Sequence, residues 1–249
     1  MVETHGKNIT LVAHRGLSLE YPENTKVAYK AALKENIDIL EIDIHRTKDD
    51  YFVAIHDDTI NRTSNGEGKI RKETLEELKK YDIGAWKDIK YSASVIQTLD
   101  EVIELIKDHP QKLLIELKDP SKYRGIEEEI VEFLHNSDLS NDRIIVQSFN
   151  HKTIKKMYKI GVEFELGVLV SKRNYWYKLP RFKKISKFAH YVNPNAALVR
   201  KRFIKKAHEY NLKVMPYTVN APKKAKSLID LGVDGLISDT PDTLLNEET

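Results

Sequence analysis

The chain has 249 residues, 41% of them apolar, with 41 basic and 38 acidic side chains, a net charge of +3 and no cysteine. That composition excludes a disordered chain, since interleaved charges accompany enough apolar mass for a full core, and it excludes disulfides and thiolate metal sites. So even a balance argues against a nucleic-acid partner, while its mild positive bias suits an anionic substrate.

Residues 9–13 form a mostly apolar run that ends on His14-Arg15-Gly16. A buried strand surfacing into a site looks this way. It brings an imidazole that titrates near neutrality, a guanidinium fork for carboxylate or phosphate and a glycine that lets the backbone turn beside them. In Pro22-Glu23-Asn24-Thr25, Asn24 or Thr25 caps the first helix, and Glu23 is a candidate to reach the site.

A second strand is expected over 37–44. A Lys48-Asp49-Asp50 turn follows, and then 51–56, a hairpin partner or short extra strand that closes on His56-Asp57. Residues 57–96 are polar and glycine-containing and read as an inserted loop with a helix at 73–81. Trp86, inside it, either lines a pocket or packs its own segment. Thr98 with Glu101 forms a capping box that opens a helix over 98–107. Further strands are expected at 112–117, 143–148, 164–170, 189–192, 213–218 and 235–238, with amphipathic helical patterns at 127–135, 201–210 and 222–231. Eight strand candidates alternating with helical patterns, with no dividing linker, predict a (β/α)8 TIM barrel as a single domain over 1–249. A doubly wound open sheet is the alternative, but the glycine-rich phosphate loop of that class is absent.

A barrel of this kind carries its active site at the C-terminal ends of its strands, and polar residues gather there: His14-Arg15, Glu41 to His45, Glu116 to Lys118, Gln147 to Asn150 and Tyr217 to Asn220. Side chains two apart share a face of a strand. Glu41 and Asp43 therefore point together, as do Glu116 and Lys118, with Leu40, Ile42, Ile44, Ile115 and Leu117 on the other face toward helices. Three carboxylates converging in a barrel mouth repel one another unless a cation sits among them, and oxygen ligands favour one hard divalent ion, calcium or magnesium, over zinc. The alternative is that Arg15 and Lys118 neutralise the acids as buried ion pairs. His14 and His56, both at strand ends, suit a general acid–base pair. His5, His109, His135, His151, His190 and His208 read as surface or loop residues. His45 shares a face with Glu41 and Asp43 if the strand stays regular and then lines the mouth; the favoured reading places it beyond the strand end, in the turn. Tyr217 is either a packing aromatic or a substrate contact.

These pieces, with Asn61-Arg62-Thr63, Gly66-Glu67-Gly68 and the run Gly232 to Asp239 in the same order, make the chain resemble the glycerophosphodiester phosphodiesterases over nearly its whole length. The resemblance implies a barrel enzyme that binds calcium or magnesium through carboxylates matching Glu41, Asp43 and Glu116. It implies a catalytic histidine pair matching His14 and His56, and a phosphate held by residues matching Arg15 and Lys118; Glu23 and Tyr217 are the further substrate-binding candidates. Two departures stand out: Tyr217 where the family often has tryptophan, and Gln97 where proline is usual. The expected reaction is hydrolysis of a small glycerophosphodiester to glycerol 3-phosphate and an alcohol. Attack comes from the neighbouring glycerol hydroxyl, through a cyclic phosphate, or from water, and either histidine can be the base. A related phospholipase C/D-like barrel phosphodiesterase, a non-catalytic phosphate-ester-binding barrel and, more weakly, a paired-carboxylate glycosidase are the other readings.

No run of about 18 apolar residues occurs, and residues 1–10 hold no apolar signal core. Stable membrane insertion is not expected, and no amphipathic or strongly basic membrane-docking stretch stands out. A cytoplasmic location and secretion after removal of a signal both fit.

Overall fold

The computed structural model describes residues 2–4 and 7–245, with side chains from Ile9 onward; the surface reading of His5 lies outside the described residues. In chain order the elements are β1 (Val2–Thr4), β2 (Lys7–His14), α1 (Lys26–Ala32), β3 (Ile39–Arg46), β4 (Phe52–Ala54), α2 (Leu75–Leu78), α3 (Leu99–Ile106), β5 (Lys112–Leu117), α4 (Ile126–His135), β6 (Ile144–Ser148), α5 (His151–Ile160), β7 (Glu165–Val170), α6 (Lys172–Tyr175), α7 (Phe182–Ile185), β8 (Tyr191–Pro194), α8 (Lys201–His208), α9 (Pro222–Asp230) and β9 (Gly235–Ser238). Strands β2, β3, β5, β6, β7 and β8 pair in parallel in that order, and β9 returns to pair with β2.

The eighth barrel position is filled differently from expectation. The stretch expected as a strand at 213–218 makes isolated bridges to Tyr191 and Asn195 rather than a continuous ladder. It still closes the barrel. Val192 donates to the Lys213 carbonyl at 2.9 Å on one side, and Ile237 donates to the Pro216 carbonyl at 3.0 Å on the other. Pro216 has no N–H to give to a ladder, which accounts for the break. The result is a TIM-barrel-like α/β fold with seven ladder strands and one irregular one.

Period-two alternation divides the core into two layers. Val12, Ile39, Leu114, Ile145, Tyr191, Met215 and Ile237 form the cluster inside the barrel. Leu40, Ile42, Ile44, Leu113, Ile115 and Leu117 pack outward with helix residues such as Tyr29, Val102, Ile130 and Leu134. Each such aliphatic side chain contributes about 1.5–3 kcal/mol through burial. Two residues up each strand, the inner face that holds Val12, Ile39, Leu114 and Ile145 carries His14, Glu41, Glu116 and Gln147. The register makes this a polar layer: His14 lies opposite Glu41 and Asp43 opposite Glu116.

Strand β3 runs two residues further than expected because β4 pairs antiparallel with its end, His45 opposite Val53 and Arg46 opposite Phe52. His45 therefore belongs to the strand, which corrects its placement in the turn. The segment after β4 holds its own apolar cluster, including Ile60, Ile70, Leu78 and Ile83. Its helix α2 covers only four residues behind a Thr74/Glu77 capping box. Trp86 donates from Nε1 to the Ile83 carbonyl at 2.9 Å and so packs its own segment. The expected Thr98/Glu101 box caps α3. Among the described residues no helix is long and apolar enough to cross a membrane.

Candidate active site

Immediately after β2 the chain turns in the left-handed region, with φ of 59° at Arg15 and 84° at Gly16. A side chain at Gly16 would bring its Cβ within 2.7 Å of the Ala28 backbone, so glycine alone fits this turn. The Arg15 N–H donates to Glu41 Oε2 at 2.9 Å, which fixes Arg15 over β3. Thr25, not Asn24, is the α1 cap. Asn24 is buried instead and donates from Nδ2 to Asp43 Oδ2 at 3.0 Å while accepting from the Tyr29 hydroxyl.

His14 Nδ1 lies 2.6 Å from Asp239 Oδ1. Burial works to raise the Asp239 pKa, but the bond from His14, helped by Asn220 and Ser18, holds it down at about 2. An ionised Asp239 only accepts, so Nδ1 of His14 carries the proton and Nε2 is the ring nitrogen outside that bond. Burial depresses the His14 pKa, yet Asp239 and the negative charge of Glu41 outweigh it and leave it raised.

Glu41, Asp43 and Glu116 are buried, and one oxygen from each lies within 4.8 Å of the others. Arg15 Nε stands 2.8 Å from Asp43, and Lys118 Nζ stands 2.7 Å from Glu116 and 3.5 Å from Asp43. The ion pairs of the alternative reading are thus present, but two cations do not balance three carboxylates. The imbalance appears in the protonation equilibria. Burial, and then the charge of Asp43, pushes Glu41 up to about 8. Burial also raises Glu116. At Asp43 burial is overcome by Lys118 and Arg15, which hold it well below the usual carboxylate range. Asp43 Oδ1 and Glu116 Oε1 are buried and face one shared cation, the Lys118 ammonium, at 3.5 and 2.7 Å. Three buried carboxylates gathered around so little positive charge fit a hard divalent cation.

His56 lies beyond β4 with Nδ1 2.6 Å from Asp57 Oδ1. Burial lowers its pKa, and Lys118 and Arg15 add to this against the opposing charge of Asp43. Arg62 ties this side to the rest: it donates to Asp57 at 2.7 Å and to both oxygens of Glu23, whose Oε1 also accepts from Arg15 at 2.9 Å. His45 sits beneath, fully buried. Its Nε2 is 3.2 Å from the His56 carbonyl, which only accepts, and its Nδ1 is 2.9 Å from the Tyr123 hydroxyl. Nε2 therefore donates to His56 and Nδ1 accepts from Tyr123. Tyr217 stands one aromatic further out. Its ring meets Phe149 edge-on at 5.9 Å, and Lys118 lies over the Phe149 face. A cavity of about 590 Å³ opens from Glu116 and Lys118 past Phe149 to Asn174 and Tyr175. His151 lines it and bonds the Leu169 carbonyl; the other described histidines remain at the surface or in loops, as expected.

The structure thus brings His14, Arg15, Glu23, Glu41, Asp43, Glu116 and Lys118 into one contact network. His56 joins it through Asp57 and Arg62, and Tyr217 through Phe149. Asp239, Asn220, Arg62, Asn24 and His45 hold the site together, although none of them was assigned a catalytic, metal-binding or substrate-binding role from the sequence. Asp239 offered one signal, a polar residue directly after the last strand.

A sequence profile described as the glycerophosphoryl diester phosphodiesterase family matches residues 14–243. The chain belongs to that family. A glycerophosphodiester phosphodiesterase of Caldanaerobacter subterraneus subsp. tengcongensis is 36% identical, covering 95% of this chain and 96% of its own. One from Bacillus altitudinis is 35% identical over 93% and 95%. Among solved structures, an Oleispira antarctica phosphodiesterase in complex with the product sn-glycerol-3-phosphate is 30% identical, with a TM-score of 0.84 over 94% of both chains. A glycerophosphodiester phosphodiesterase from Thermotoga maritima, 22% identical with a TM-score of 0.79 over 97% of this chain and 99% of its own, shares the fold.

Proposed function

We propose that the protein hydrolyses small glycerophosphodiesters to glycerol 3-phosphate and an alcohol with a histidine pair and one divalent cation. The observation that carries this reading is the pairing of two carboxylate-anchored histidines, their pKa values shifted in opposite directions, with a buried acid cluster flanked by Arg15 and Lys118. The family and the glycerol-3-phosphate complex of the Oleispira relative support it.

Glu41, Asp43 and Glu116 hold calcium or magnesium in this proposal. The bound ion supplies positive charge against the phosphoryl oxygens. Arg15 and Lys118 bind the same phosphate and stabilise the charge that builds on it. Glu23, saturated by Arg15 and Arg62, acts on the substrate by aiming Arg15, and Tyr217 acts by backing Phe149 at the cavity wall. His56, with its lowered pKa, is neutral at pH 7 and accepts the proton of the attacking oxygen. His14, whose raised pKa favours its protonated form, gives its Nε2 proton to the departing alkoxide. Environments that drive two titratable groups apart assign base and acid in this way. A glycerol hydroxyl or a water serves equally as the attacking group. Every residue named comes from the strand ends and following loops, so one barrel domain suffices.

The test is release of glycerol 3-phosphate from a panel of glycerophosphodiesters, with chelator and with each metal restored. Release that stops with chelator and returns with calcium or magnesium supports the proposal. Chelator-insensitive release, or normal turnover by His14→Ala, overturns it.

A further inference from the structure

Between Glu165 and Glu209 the chain runs for 43 residues, 166–208, without an aspartate or glutamate, and 12 of these are lysine or arginine. The remainder carries 29 basic and 38 acidic side chains. A protein that is nearly neutral in sum is therefore strongly asymmetric in charge.

The fold gathers these cations on one flank. Lys172, Arg173 and Lys178 are exposed in and after α6. That helix packs on the turn Ala196–Leu198, just before the Arg200-Lys201-Arg202 start of α8. Phe182 of α7 meets Phe203 of α8 edge-on at 5.0 Å, which sets the two basic helices side by side. Arg181, Lys183, Lys184 and Lys187 line, with Leu179 and Phe182, a shallow depression of about 540 Å³. None of the exposed cations of 172–187 is paired with a carboxylate among the described residues. At the end of α6 stand Trp176 and Tyr177, 72% and 65% exposed and packed edge-on against each other at 5.3 Å. The next residues back, Asn174 and Tyr175, line the cavity that reaches Glu116 and Lys118.

Unpaired cations beside exposed tryptophan and tyrosine are the pattern that seats proteins at lipid headgroups. We propose that this flank docks on an anionic lipid surface, with Trp176 and Tyr177 at headgroup level and the lysines and arginines against the lipid phosphates. A polyanion that wraps the protein would also meet its acidic remainder, whereas a planar surface meets this flank alone, so the charge distribution favours the lipid. Docking in this orientation sets the rim of the cavity beside the membrane. No single helix shows the pattern. α6 and α7 have four residues each, too few for an amphipathic period, and the patch exists only once α7 and α8 pack.

The test is co-sedimentation of the full chain with phosphatidylglycerol/phosphatidylcholine vesicles and with phosphatidylcholine alone. Binding is expected to the anionic vesicles only and to fall as salt is raised. In a Trp86→Phe background, which leaves Trp176 as the single indole, fluorescence shifts to the blue on binding. Lys183→Glu/Lys184→Glu and Trp176→Ala/Tyr177→Ala each weaken partitioning about tenfold or more with an unchanged melting temperature. No binding to anionic vesicles, or equal binding by the charge-reversed variant, overturns the proposal. Tighter binding to single-stranded RNA than to the vesicles overturns it in favour of a nucleic-acid partner.

Discussion

His14 and Asp239 are 225 residues apart in sequence, and their side chains meet at 2.6 Å, imidazole Nδ1 to carboxylate Oδ1. β2 and β9 pair in parallel, so the residues that end them arrive side by side when the barrel closes. The contact fixes the tautomer of His14 and raises its pKa, which sets it apart from His56.

That contact determines a pH profile. With His56 as the proposed base and His14 as the proposed acid, the acid limb of kcat/KM should fall below the ordinary histidine value of 6.5 and the alkaline limb above it. Asp239→Asn removes the largest influence opposing burial at His14, so the alkaline limb moves to lower pH and kcat falls about 100-fold or more. His56→Ala removes the acid limb instead. A pH series of initial rates on the three proteins checks this, and an unmoved alkaline limb in Asp239→Asn removes the assignment.

The acid cluster ties stability to pH and to cation. A carboxyl whose folded pKa is raised keeps its proton in the folded state after the unfolded chain has lost it, so stability falls as pH rises through that interval. For Glu41 the interval runs from 4.5 to about 8. The chelated protein should melt at progressively lower temperature across that range. Calcium or magnesium at 100 times its dissociation constant should restore about 2.7 kcal/mol and release protons on binding, most at the acid end of the range. Asp43→Asn abolishes the restoration. Differential scanning calorimetry with and without chelator, and titration calorimetry in buffers of different ionisation enthalpy, measure both quantities.

His45 should act on the reaction through His56. His45→Leu leaves the His56 carbonyl and the Tyr123 hydroxyl without partners in a buried place, a cost of about 1–3 kcal/mol, and loosens His56, lowering kcat more than it changes KM. His45→Gln, which can still donate and accept, should recover part of both. Urea unfolding with steady-state kinetics separates these outcomes, and equal kcat in the two variants contradicts the positioning role.

Gly16→Ala should lower stability by about 1–3 kcal/mol for the left-handed backbone alone, and more where Ala28 resists the new Cβ. Because Arg15 and His14 precede the turn, kcat/KM should fall with it. Thermal melts and a rate assay at one temperature suffice.

The shifted aspartates give the acid end of the stability curve its sign. Asp239 and Asp57, each held at about 2 against an ordinary 3.8, add stability that is present above 3.8 and disappears as pH falls toward 2. Asp57→Asn and Asp239→Asn should each flatten that limb of an acid-unfolding curve followed by circular dichroism.

Much of the site was legible because the governing rules are local. Alternation along a strand put Glu41 with Asp43 and Glu116 with Lys118, and the observed layers keep those faces. A threonine three residues before a glutamate announced the cap of α3. What escaped the sequence was set by distance. The end of β3, and with it the place of His45, depended on pairing with β4. Closure of the barrel across the irregular eighth strand depended on Val192 and Ile237 donating to the Lys213 and Pro216 carbonyls. The anchoring of His14 by Asp239 and the gathering of lysines from α7 and α8 arise when the barrel closes and helices pack. Residue type and spacing by themselves determined which side chains could do the chemistry. Register and closure, which join residues hundreds of positions apart, decided the partners that set their charge and aim.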